Sequence, residues 1–174
     1  ILDVFEVAEV EVWPLWHLEG VDSKSPNYAN AKRELDAHEY TAYLNAIDSS
    51  TLKAILNEKI PPVSETLEPP ESLRWSLVDD ETRQERQHPD IRIARRAETV
   101  ARLAAVARER GEVSEGLRRV LVIQALRLAF LAAERLAYVQ GRPAPDPSAI
   151  FIEPLVGSVL YEFTGSEQGL TDDE

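Results

Sequence analysis

The chain has 174 residues, of which 44% are hydrophobic and 29% charged, with a formal net charge of −12 at neutral pH and no cysteine. That length allows one domain, or one compact domain with arms. The composition excludes disulfides, thiolate metal sites and a cysteine nucleophile, and the acidic balance disfavours general nucleic-acid affinity, which rests on Lys and Arg.

Residues 1–26 read as an N-terminal strand or arm. The chain opens on Ile1 and holds no methionine, so further residues are expected to precede it. Within DVFEVAEVEVW, Ala8, Val10 and Val12 fall on one face, and Glu9 and Glu11 on the other. Alternation of period two with β-branched residues predicts a strand, either at an edge or laid on another surface. Pro14 ends it. Trp13 and Trp16 read as packing anchors rather than ligand contacts.

Residues 27–60 form a helical segment. An amphipathic helix is predicted from Ala29 to Ile47, with Ala31, Leu35, His38 and Ala42 sharing one side. His38 is expected to pair with Glu34 one turn earlier. A second short helix is expected from Ser50 to Lys59, stopped by Pro61 and Pro62. Residues 61–89 then form a Pro-rich linker and a charged connection. IPPVSETLEPPES favours extended polyproline II backbone. LRWSLV is a short apolar piece that docks through Trp75, and DDETRQERQHPD is a charged run broken at Pro89.

Residues 90–142 form the core. Asp90 opens a helix through residue 110 as its N-cap, with Ile93, Ala97, Val100, Ala104 and Ala107 on a stripe that Leu103 widens. After Gly111 a second helix runs from Ser114, its N-cap, to Gln140, and Gly141 stops it. The short connection makes the two an antiparallel αα-hairpin. From Val120 to Ala133 only Gln124 and Arg127 are polar. These two lie about 60° apart around the axis, and the remaining circumference is apolar. A helix of that kind is enclosed on most sides.

Residues 143–174 form an extended C-terminal arm and an acidic tail. A Pro-rich spacer leads into AIFIEPLVGSVLYEFTG, read as two short strands or extended pieces, and GSEQGLTDDE closes the chain. The fold class is therefore mainly α. A central αα-hairpin (about 90–110 and 114–140) follows an N-terminal helical segment, and extended or short β arms lie at both ends.

Charge is segregated along this layout. Residues 1–90 carry a net −11, residues 91–142 a net +6 and residues 143–174 a net −7. The acidic segments are expected to lie on the arginine-rich helices, in the same subunit or a neighbour, because the guanidinium fork binds carboxylates bidentately. The alternative use of these arginines, on nucleic-acid phosphates, is disfavoured by the absence of aromatics from 91–129 for base stacking until Phe130. No metal, cofactor or catalytic set is indicated: the sequence lacks GxSxG, Walker A, GxGxxG and a paired zinc-helix histidine motif. No apolar run approaches the roughly 20 residues that span a bilayer.

The function expected from these features is that of a non-catalytic structural or assembly subunit in a larger complex. A virion component such as a connector, a minor structural protein or a tail-assembly protein of a tailed bacteriophage would fit. Its partners would be copies of itself or other subunits, in a soluble, cytoplasmic or virion-associated setting. The expected interface residues are Trp13, Trp16, Trp75, Leu121, Leu126, Phe130, Leu131, Phe151, Leu155 and Tyr161. Two alternatives remain: a small acidic regulatory or inhibitory binder, and a helical nucleic-acid-associated protein using the arginine-rich hairpin.

Overall fold

The computed structural model describes residues 7–157. It is built on a helical hairpin. α3 (Pro89–Arg110) and α4 (Glu115–Val139) run antiparallel, joined by a four-residue turn in which Gly111 takes φ 69. Glycine alone enters that left-handed region without strain. Ser114 caps α4 by accepting the Leu117 N–H at 3.2 Å, and Gly141 follows its last turn with φ 65. α3 begins one residue earlier than its expected cap. Pro89 occupies the first helical position, where a missing N–H costs nothing, and His88 Nδ1 accepts the Asp90 N–H at 3.3 Å. Asp90 is thus inside the helix, free to take Arg135 of α4 in two hydrogen bonds of 3.0 Å each.

The hairpin seam differs from the predicted alanine stripe. Leu103 and Thr99 are its buried residues on α3, while Ala97 and Ala104 face outward. A larger side chain recovers more apolar area than alanine does, so Leu103 sets the rotation of the helix. On α4 the buried residues are Val120, Ile123, Gln124, Phe130 and Ala137. The two polar residues of the central stretch therefore point inward. Gln124 is 3% exposed and accepts a hydrogen bond from Arg96 Nη1 at 2.6 Å. Arg127 is half-buried and donates to the carbonyl of Ala54 at 2.6 Å.

α1 (Tyr28–Ser49) matches its predicted helix closely, but its covered face centres on Ala31, Ala37, Thr41 and Tyr43, and Leu35 is exposed. Glu34 pairs with His17 at 2.5 Å rather than with His38, because the 3-10 turn Trp16–Leu18 lies beside α1. No helix forms over residues 50–59. Lys53 adopts φ 50, and the segment opens to press Leu52 and Ala54 into the core against Ile123 and Phe130. Arg127 and the Ser50 hydroxyl, the latter at 2.7 Å, both donate to the Ala54 carbonyl and satisfy it where no helix does. The Pro-rich linker runs back along its own chain. Pro61 is buried, and the Leu67 N–H donates to Thr41 Oγ1 at 3.0 Å.

Two elements arise where none was expected. Leu73–Ser76 is a strand, β2, paired antiparallel with β1 (Glu9–Val12) in the register Val10 opposite Trp75 and Val12 opposite Leu73. Asp80–Gln87 is a helix, α2, capped by Asp79, which accepts the Thr82 N–H at 2.7 Å. The C-terminal arm is not a pair of strands over the described residues. It forms a 3-10 turn, Pro147–Ala149, and a single helical turn, α5 (Glu153–Val156). Pro154 stands in the first turn of α5 and Gly157 ends it with φ 73. Ile152 enters the core with Leu52, Ala54, Ile123 and Phe130, so this arm folds home.

Candidate functional site: two exposed apolar faces and an arginine cleft

The β1–β2 ribbon is amphipathic with its apolar side outward. Directly opposite residues of an antiparallel pair share a face. One face therefore carries Val10, Val12, Leu73 and Trp75, all exposed, and Leu77 extends it by donating its N–H to the Ala8 carbonyl. The other face is polar. Arg74 donates to Glu11 at 2.8–2.9 Å and stands 3.8 Å from Glu9. A hydrogen bond from Ser72, then those from Arg74, hold the Glu11 carboxyl below its ordinary range. Ser76 on this face is tied to the body by Arg83 Nη2 at 2.7 Å. The ribbon is thus attached through its polar side. A two-stranded ribbon is marginal alone in water, and an exposed apolar face on one marks a contact surface.

α4 presents the second face. Val122, Ala125, Ala129, Ala132, Leu136 and Val139 are all exposed, Leu136 at 53% and Val139 at 70%. Their spacing alternates three and four residues, the step of a coiled-coil seam. Such spacing keeps one stripe of a helix aimed along a partner helix.

Between the ribbon, α2 and α3 lies a cleft with a cavity of about 370 Å³, lined by Arg83, Arg86, Arg92, Arg95 and Arg96, with Glu9 as the one carboxylate among the described residues that line it. Helical spacing assembles it. Arg83 and Arg86 are three apart on α2, and Arg92, Arg95 and Arg96 lie within one turn of α3. Arg95 and Arg96 are half-buried rather than on a solvated face. The signal was present as R-x-x-R and R-x-x-R-R. It was unreadable without knowing that 80–87 is helical.

The expected interface residues divide. Trp13, Trp16, Trp75, Phe151 and Leu155 are exposed, Trp16 at 71%. Phe130 lies in the chain's own core at 7%, Leu126 packs against that core, and Leu121 and Leu131 are half-buried. Tyr161 lies outside the described residues. Among the described residues, a carboxylate of the acidic 1–90 segment meets a guanidinium of the basic helices bidentately at Asp90 and Arg135, and Glu58 reaches α4 otherwise: its carboxylate accepts from Ser114 Oγ at 2.7 Å and its backbone carbonyl from Arg119 at 3.1 Å.

Among the described residues no group of three or more His, Cys, Asp and Glu is placed to hold a metal ion. No helix among them is long and apolar enough to cross a membrane. No protein-family model, curated protein or solved structure matches the chain.

Proposed function

We propose that this protein is a non-catalytic structural subunit that assembles with copies of itself or with companion subunits. The observation that carries the reading is the heptad-spaced stripe on α4 from Val122 to Val139, exposed although it is apolar throughout. Its central alanines allow a second helix to approach closely, and Val122, Leu136 and Val139 supply the area to be covered. The outward apolar face of the ribbon adds a second surface of the same character. A virion or tail-assembly setting remains one home for such a subunit.

Size-exclusion chromatography with light scattering tests the proposal. The protein is expected to run above its monomer mass of 19.5 kDa in a concentration-dependent way. The double substitution Ala129→Glu with Leu136→Glu is expected to return it to monomer with helical content intact. A monomer at every concentration, unaltered by those substitutions and unable to capture a partner from its native source, would refute the reading.

A further inference from the structure

We propose that the partner of the α4 stripe is a second copy of this chain, packed antiparallel about a two-fold axis at the level of Phe130 and Leu131. The pairing rests on the assembly function already proposed for the stripe, and it fixes the partner, the direction and the register. The stripe runs Val122, Ala125, Ala129, Ala132, Leu136, Val139, exposed at every step. A two-fold at that level sets Val122 opposite Val139 of the second copy, Ala125 opposite Leu136 and Ala129 opposite Ala132. Each contact then occurs twice, as an isologous interface requires. The stripe is complementary to itself in this direction. Leu136, its largest side chain, lies over an alanine, and alanine meets alanine only at the centre. Large set against small across facing positions keeps the separation of two helices even along their length.

Parallel packing in register sets each residue on its own counterpart. Layers 125, 129 and 132 would then be alanine on alanine, followed by leucine on leucine, which wedges apart what the alanines would draw together. Charge selects the same direction. One heptad before Ala125 the stripe reaches Arg118, which is exposed. Parallel helices would stack Arg118 on Arg118, and facing like charges repel. Antiparallel helices carry Arg118 past Val139, the last residue of the second copy's helix, so no like charge faces it within the seam. Both helices are already formed in their own hairpins, so pairing carries no nucleation cost. The stripe spans only about 26 Å at 1.5 Å per residue. The contact is therefore small, and the dimer dissociates on dilution.

The chain has no cysteine, so introduced thiols report single positions. Val122→Cys and Val139→Cys are prepared separately, one carrying an affinity tag, then mixed and oxidised in a glutathione buffer, with light scattering run on the parent. The mixed disulfide is expected. Neither variant should link to itself, because like positions lie about 26 Å apart along the axis and a disulfide needs Cα atoms within about 7 Å. Exchanging two side chains checks the register independently. Ala125→Leu alone should weaken association about tenfold or more by overpacking, and adding Leu136→Ala should restore it. Self-linking of each variant overturns the proposal in favour of parallel packing. An associating parent with no mixed disulfide, or an exchange that restores nothing, overturns it while assembly through another contact stands. A parent monomeric at every concentration also overturns it, and capture of a partner from the native source then decides whether the assembly function falls too.

Discussion

Arg96 reaches from α3 across the hairpin to Gln124 of α4 and donates to its side-chain oxygen at 2.6 Å. The amide sits among the buried residues of α4, where it accepts a charge-assisted bond in a setting of low polarity. Removing the acceptor takes this bond away from a partly buried guanidinium. Gln124→Leu is therefore expected to lower unfolding stability by about 1.5–3 kcal/mol, despite the more apolar side chain. Urea denaturation checks it. A loss below about 0.5 kcal/mol, the range of ordinary surface substitutions, would mean that the bond adds little.

Gly116 in the first turn of α4 has no room for a side chain. A Cβ there would stand 1.9 Å from the carbonyl oxygen of Glu58, which is backbone and cannot swing aside. Alanine normally improves a helix over glycine by about 0.5–1 kcal/mol. Here the reverse is expected: Gly116→Ala should push away the segment that Ser114 and Arg119 hold, for a net loss of about 1–3 kcal/mol. Thermal unfolding checks the sign. Hydrogen exchange should show faster exchange confined first to the segment around Glu58. A higher melting temperature in the variant would show that the two backbones can separate freely.

The hairpin was legible because its punctuation is local. Ser114, Gly111 and Gly141 act within a few residues of themselves, and each does what its type dictates. The rotation of the helices was not legible, because periodicity counts apolar residues without weighing them. It set Ala97 and Ala104 on the seam, where Leu103 and Thr99 lie. Nor could periodicity name what Gln124 and Arg127 would meet, because Arg96 and the Ala54 carbonyl are distant in sequence. The ribbon was half legible. The alternation of β1 is in the sequence, but its partner Leu73–Ser76 has no alternation of polarity long enough to read, and pairing over some sixty positions leaves no local trace. The cleft depends on α2, whose eight residues hold no buried side chain, so no apolar period announces it.

Asp79 caps α2, and its carboxyl is held below the ordinary value, first by the backbone N–H of Thr82 and then by that residue's hydroxyl. A depressed folded value stabilises the helix above the unfolded value of about 3.9, and this contribution is lost as pH falls through the folded value. α2 is thus expected to fray in acid before the hairpin does. Amide exchange or chemical shifts of residues 80–87, followed from pH 6 downward, would reveal it. Asp79→Asn keeps an acceptor at the cap without a titrating proton, so the variant should show a flat response through the same window. Equal acid sensitivity in the two proteins would place the cause elsewhere, since Asp146 at the turn before Ser148 is depressed in a similar way.

Phe130 and Trp16 carry comparable apolar area, yet the fold assigns them different work. Phe130 is enclosed by Leu52, Ala54, Ile123 and Ile152, drawn from three parts of the chain, so its ring holds the 50–59 segment and the C-terminal arm onto α4. Phe130→Ala is expected to cost about 3–5 kcal/mol, from lost burial and the cavity left behind. That is a large share of the 5–15 kcal/mol typical of a domain. Trp16 is mostly in solvent, and Trp16→Ala is expected to change unfolding stability by no more than about 0.5 kcal/mol. Denaturant midpoints of the two variants in dilute solution make the comparison directly. If Trp16→Ala proved the more damaging, the ring would have to be covered in solution, and the 3-10 turn that carries it would belong to an interface rather than to the free surface.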